Sequence, residues 1–362
     1  MNYQNQNNSD LEIKVNGQKQ IRKNLLLKKM TIKEGKNIFE TENIYLTDNY
    51  KIDDIEKMFF NYKDKENLQN SFSILNNKKD YILKGNVINL NKIVENLLKS
   101  KNKKNKKLFT KDFNLKIDLK KSYLDKTNII EDLKGFLLYK DNDIEEANLK
   151  SKFLNGKKIN LTIKKNNNEK ITTLFSNEAS PLVKRYKFIK GFDEGTLDYY
   201  SVKKKDIDKS ILKIYDFKLK KLPVLTKVLT LASLQGIADL LSGEGIRFNE
   251  LEMDFTNQDK LITINEIYAI GPAISILMSG YIEKDKLISL RGTLVPATTL
   301  NKTIGSIPLL GDILVGKKTG EGVFGVSFKI KGPPKNLETT VNPIKTLTPR
   351  FITRTLEKIK KD

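Results

Sequence analysis

Apolar and polar residues alternate along most of this chain. Leu11, Ile13 and Val15 are separated by Glu12 and Lys14, and Phe113, Leu115, Ile117 and Leu119 by Asn114, Lys116 and Asp118. The same alternation holds Ile159, Leu161 and Ile163, then Ile274, Ile276 and Met278, then Phe324, Val326, Phe328 and Ile330. Successive side chains on a strand point to opposite faces, so this period predicts strands with one apolar and one polar face. Polar clusters at Asn76-Asn77-Lys78-Lys79, Asp141-Asn142-Asp143, Asn166-Asn167-Asn168 and Asn257-Gln258-Asp259 predict turns between them. Closely spaced strands without a helix after each one predict antiparallel meanders rather than βαβ units.

Four stretches depart from the alternation. Leu90, Ile93, Val94, Leu97 and Leu98 fall at helical spacing and predict a short amphipathic helix over 90–99, followed by a lysine-rich solvated loop over 101–107. Residues 225–241 predict the longest helix, ended by Ser242-Gly243-Glu244-Gly245. Residues 300–315 predict a helical or hairpin element broken by Gly305, Pro308 and Gly311, and 349–362 a lysine-rich amphipathic helix. Glycines recur inside strand-like runs at Gly85, Gly135, Gly280 and Gly292, a low-grade repeat that bends or bulges in strands also produce. Three segments are expected: a β-rich segment over 1–80, a β-meander over 81–222, and a C-terminal domain over 223–362.

Composition narrows the chemistry. The formal charge is +22, which invites a nucleic-acid partner. Only six basic residues are arginines, however (Arg22, Arg185, Arg247, Arg291, Arg350 and Arg354), and nucleic-acid sites favour arginine for bidentate contacts. The lysines are spread along the chain with Asn and Ile, so a solvated surface is the expectation and nucleic acid is disfavoured as a partner. Attraction to anionic headgroups at a membrane surface fits the same charge. The chain has no His and no Cys, which excludes imidazole acid–base chemistry, thiol nucleophiles and Cys/His zinc sites. No cofactor, metal site or catalytic residue is expected.

The N-terminal residues resemble no signal peptide, and no uncharged apolar run of membrane-spanning length occurs. Gly320-Glu321-Gly322-Val323-Phe324-Gly325 has the letters of a dinucleotide fingerprint, but a strand follows where the fingerprint needs a helix. Asp141-Asn142-Asp143 opens like a calcium loop, yet Glu146 and Lys152 stand where Gly and Glu are required. The carboxylate pairs Asp206 with Asp208 and Glu250 with Glu252 read as solvated strand faces rather than an acid–base pair.

The run Leu231-Ala232-Ser233-Leu234-Gln235-Gly236-Ile237-Ala238-Asp239-Leu240-Leu241-Ser242-Gly243-Glu244-Gly245 resembles a signature block of the AsmA-like family. The likeness continues through Ala269-Ile270-Gly271-Pro272-Ala273, Arg291-Gly292-Thr293-Leu294-Val295-Pro296-Ala297, Ile307-Pro308-Leu309-Leu310-Gly311, Gly332-Pro333 and Val341-Asn342-Pro343. Residues 84–222 resemble the preceding β section more loosely. This resemblance implies a bridge-like lipid transport protein of the Gram-negative envelope. Its fold would be an elongated antiparallel sheet curled into an apolar groove, with a few short amphipathic helices toward the C-terminus. It also implies a periplasmic location, anchored through an upstream segment that this chain does not contain.

Under that reading Ile262, Ile264, Tyr268, Ile274, Ile276, Met278, Phe324, Val326 and Phe328 would line the groove. Leu225, Val228, Leu229, Leu240, Leu241, Ile307, Leu309 and Leu310 would cap it or lie at a membrane surface. Phospholipid is the expected partner, with other envelope proteins as further candidates. Two alternatives stay open. The same alternation builds a plain β-sandwich whose apolar faces pack on each other, and exposed strand edges suit an assembly factor for outer-membrane proteins.

Overall fold

The computed structural model describes residues 2–4, 10–19, 25–77, 80–93, 112–141, 143–184, 191–220, 222–232, 234–296, 325–344 and 354. The described residues are mostly strand and divide into two compact units, 1–175 and 176–362. Each unit is built on an open sheet whose strands pair in sequence order. The expected 300–315 element and C-terminal helix lie outside the described residues, Arg354 excepted.

The N-terminal unit runs β1 (Asn2–Gln4), β2 (Asp10–Lys19), β3 (Leu25–Glu34), β4 (Asn37–Leu46), β5 (Ile52–Lys63) and β6 (Gln69–Asn76). It continues through β7 (Tyr81–Asn89), β8 (Phe113–Tyr123), β9 (Ile129–Lys140), β10 (Asp143–Phe153), β11 (Lys158–Asn166) and β12 (Glu169–Ser176). The turns at Asp141 and Asn167 use positive φ of 50° and 53°, which Asn and Asp tolerate better than most residues. From β1 to β11 neighbours pair antiparallel, except that β7 and β8 run parallel. A parallel pair needs a long crossover, and residues 90–112 supply one. Asn91, Lys92 and Ile93 open it as a helical turn; the rest of the helix expected over 90–99 lies outside the described residues.

Strict alternation fails inside several strands, and the cause is local. Asp132 adopts a left-handed conformation (φ 53°) in mid-strand. Ile130 and Leu133, three positions apart, are then both buried in one cluster with Leu119, Leu83 and Ile117. Asn43 (φ 46°) separates Ile44 from Thr41 in the same way, and Ile44 packs with Met58, the register partner of Thr41. Each left-handed residue shifts the parity, so the chain keeps apolar residues on one side of the sheet.

The C-terminal unit runs α1 (Ser180–Val183), β13 (Phe192–Lys204), β14 (Ile207–Leu219), α2 (Pro223–Leu231), α3 (Gln235–Ser242) and β15 (Ile246–Gln258). Then come β16 (Leu261–Ile270), β17 (Ile274–Glu283), β18 (Leu287–Pro296), β19 (Gly325–Gly332) and β20 (Glu338–Ile344), antiparallel throughout. The single helix expected over 225–241 is two. Helical geometry stops at Ala232 and restarts after Leu234, whose backbone is non-helical (φ −100°, ψ 48°). The break lets Val228 and Leu229 on α2, and Ala238 and Leu241 on α3, all become buried, which one straight helix of mixed faces could not arrange. Gly280 sits in mid-strand at φ +148°, where an added Cβ would lie 2.1 Å from the Ser289 carbonyl oxygen, so only glycine fits that close approach.

Candidate functional site

Residues directly opposite on paired strands share a face, so the registers place whole rows of side chains across each sheet. In the C-terminal unit one row reads Leu197, Ile214, Leu251, Ala269, Ile276, Leu294 and Val326, from β13 to β19. The neighbouring row reads Tyr199, Leu212, Met253, Ile267, Met278, Gly292, Phe328 and Val341, from β13 to β20. Neither carries a formal charge. At about 4.8 Å per strand the second row covers roughly 34 Å. A row on the opposite face reads Asp198, Lys213, Glu252, Tyr268, Leu277, Thr293, Ser327 and Asn342. That row carries three charges, at Asp198, Lys213 and Glu252, with Leu277 as its aliphatic member.

These rows place the residues expected to line one surface. Ile276 and Val326 share the first row and Met278 and Phe328 the second, with Ile264, Ile262 and Ile274 on the same face in flanking rows. Tyr268 is on the other face. A bulge between Ile264 and Ile267 inserts an extra residue, so Phe255 opposes Ile264 while Glu252 opposes Tyr268. Phe324 lies outside the described residues. Leu197, Ile214, Tyr199, Leu212, Leu251 and Met253 belong to the surface and were not anticipated, although Leu197-Asp198-Tyr199, Leu212-Lys213-Ile214 and Leu251-Glu252-Met253 carry the alternation that would have found them.

The N-terminal unit has an apolar face of its own. One row reads Val15, Met30, Thr41, Met58, Ile74, Leu83, Ile117, Gly135, Leu149 and Leu161, crossing β2 to β11. The adjacent row brings Phe39, Phe60 and Phe72 side by side, with ring centroids 4.8 Å and 4.7 Å apart. On the opposite face the same strands present Lys14, Glu40, Lys84, Asp118, Lys134 and Lys150. The apolar row spans roughly 43 Å at the usual strand spacing. Its β2 end is open, with Val15 56% exposed.

Polar clusters fix the margins. At the β5–β6 turn the Asp64 carboxylate accepts hydrogen bonds from the backbone N–H of Glu66 (2.8 Å) and Leu68 (3.1 Å), and from the amides of Asn89 (2.6 Å) and Asn70 (3.3 Å). Burial pushes its pKa up, but these donors outweigh burial and hold it below the ordinary 3.8. Tyr81 donates to Asp54 at 2.5 Å, and burial together with that carboxylate raises its pKa. Of the anticipated carboxylate pairs, Glu252 faces Lys213 at 3.5 Å and Arg354 at 3.3 Å, and Asp208 accepts from the Ser201 and Ser210 hydroxyls. Among the described residues no group of three or more acidic residues is placed to hold a metal ion.

Comparison of the chain with known protein families, curated proteins and solved structures finds no match. The AsmA-like resemblance rests on the residues quoted for it. Several of those residues sit where the backbone is constrained. Gly271 turns β16 into β17, with the Arg247 carbonyl oxygen 2.3 Å from where a Cβ would stand, and Arg291-Gly292-Thr293 forms the middle of β18. Of the residues expected to cap the surface, Val228, Leu229 and Leu241 are buried and Leu225 is half-buried. The side chain of Leu240, and all of Ile307, Leu309 and Leu310, fall outside the described residues. Among the described residues no helix is long and apolar enough to cross a membrane.

Proposed function

We propose that this chain is a non-enzymatic lipid-binding scaffold of the AsmA-like kind, which contributes to phospholipid transport between the inner and outer membranes. The observation that carries the proposal is the pair of uncharged rows across β13 to β20, backed by a face of charged and hydrogen-bonding groups. Exposing a sixteen-carbon acyl tail to water costs about 0.8 kcal/mol per methylene, roughly 13 kcal/mol per tail. A path for such a tail therefore needs unbroken apolar cover, and a row free of charge over many strands offers it. The sheet would curl about these rows into a groove, with tails along the rows and headgroups at the rim. The resemblance of 231–343 to the family adds support from the sequence, and on this reading the protein works in the cell envelope.

The test is native mass spectrometry with lipid extraction on the full 362-residue chain. Ile276→Asp combined with Met278→Asp puts two carboxylates into adjacent rows. Phospholipid should accompany the unaltered chain through a high-salt wash and be absent from the variant. Thr263→Asp with Tyr281→Asp, register partners on the polar face, should retain it. A folded chain free of lipid would overturn the reading and favour apolar faces closed on each other as a sandwich.

A further inference from the structure

We infer that Arg291 and Lys329 form a seat for a phosphate ester on the polar face of the C-terminal unit. The two are register partners on β18 and β19, which puts their Cβ atoms about 5 Å apart. Like charges directly opposite destabilise a sheet, so the pair works against the fold unless an anion joins it. Neither has an ion-pair or hydrogen-bond partner among the described residues, and both are exposed.

Arginine is scarce here, six of 66 basic residues, and the other described arginines are each used as forks on carboxylates. Arg247 holds Glu194 at 3.0 Å and 3.1 Å, and Arg354 reaches Glu266 at 2.6 Å and Glu252 at 3.3 Å. Arg291 presents the same fork with no partner on it among the described residues. It opens into a concavity of about 870 Å³ that also receives Ser279, Thr293, Ser327, Thr340 and Asn342. The acids at the far wall are engaged: Glu252 and Glu266 by Arg354, and Asp254 by the Asn265 amide at 3.0 Å. What remains beside the Asp254 charge is a forked cation, a point cation, hydroxyls and an amide, with Leu277, Met278 and Phe328 also on the lining. A planar carboxylate would be satisfied by the fork alone, whereas a phosphate has further oxygens for Lys329 and the hydroxyls.

By register Arg291 and Lys329 belong to the face opposite Met278 and Phe328, although both of those residues also line the concavity. The seat rests on the two cations rather than on the apolar rows. The phosphate would come from a headgroup at a bilayer surface or from a soluble phosphate ester.

Binding of inorganic phosphate and glycerol 3-phosphate is measured by calorimetry on the full chain, and binding of phosphatidylglycerol vesicles by co-sedimentation. Arg291→Gln with Lys329→Gln should weaken binding on the order of tenfold or more. Lys203→Gln with Lys209→Gln removes the same charge elsewhere in the unit and should leave binding within about twofold. Vesicle binding displaced by inorganic phosphate identifies a headgroup; soluble binding without vesicle binding identifies a free ester. Absence of binding to every probe, or equal loss in both double variants, overturns the seat. Failure of the lipid test on Ile276 and Met278 leaves it untouched.

Discussion

Phe217 is the middle of three stacked rings. Its centroid lies 5.3 Å from that of Phe192 and 5.3 Å from that of Phe248, with planes inclined by 13° and 10°, and all three side chains are within 2% of complete burial. Truncating a buried Phe to Ala costs about 3–5 kcal/mol through lost transfer energy and the cavity left behind. Each ring contact contributes about 0.5–1.5 kcal/mol beyond the area term. Phe217→Ala should therefore cost about 4–8 kcal/mol, a large fraction of the 5–15 kcal/mol available to an ordinary domain. Phe217→Leu keeps most of the volume but loses both ring contacts, and should cost about 1–3 kcal/mol. The measurement is urea unfolding followed by circular dichroism, with hydrogen exchange read on peptides from β13, β14 and β15. Protection in those strands should fall in step with the loss of stability. A loss below about 0.5 kcal/mol for Phe217→Leu, with unchanged exchange, would refute close packing of the three rings.

Two further predictions concern charge. Arg354→Gln leaves Glu252 and Glu266, each under 20% exposed, facing one another without their shared cation and removes the guanidinium 5.5 Å from the Tyr268 ring. It should cost about 3 kcal/mol and lower the melting temperature, and Glu252→Gln in the same chain should restore part of the loss; no rescue would argue against the shared clamp. Asp64 has a folded pKa below its ordinary 3.8, so the stability it contributes is present above that pH and is lost as pH falls through the folded value. The melting-temperature gap between the native chain and Asp64→Asn should be full at pH 5–7 and close on acidification below 3.8; a gap unchanged at pH 2 would contradict the hydrogen-bonded carboxylate.

The strands were legible because alternation is a local signal. Phe113 to Leu119, Ile159 to Ile163 and Ile274 to Met278 all fall in strands, at β8, β11 and β17. What alternation does not carry is any change of parity. The bulge before Ile267 adds a residue without altering composition, so Tyr268 read as a neighbour of Ile264 when it faces the other way. Mid-strand left-handed residues do leave a trace: two buried positions three apart with Asp or Asn between them, as in Ile130-Glu131-Asp132-Leu133 and Ile214-Tyr215-Asp216-Phe217. The break at Ala232 to Leu234 leaves none, having neither Pro nor Gly at its centre, because it is decided by what the two helices bury. The parallel pairing of β7 with β8 depends on where a long crossover returns, which no nearby residue announces. That Arg291 has no partner among the described residues was likewise invisible, since it follows from a register that puts Lys329 beside it.

Each described strand from β1 to β11, and from β13 to β20, pairs only with its neighbours in the chain. Such a sheet can change in length without being redesigned. Duplicating one antiparallel hairpin adds two strands, keeps every inward residue inward, and lengthens each row by about 10 Å while the old ladders retain their partners. A closed barrel has no comparable freedom, because its strand number and stagger are tied together. The reach of this architecture is therefore a quantity that gene duplication can adjust in even steps, hairpin by hairpin.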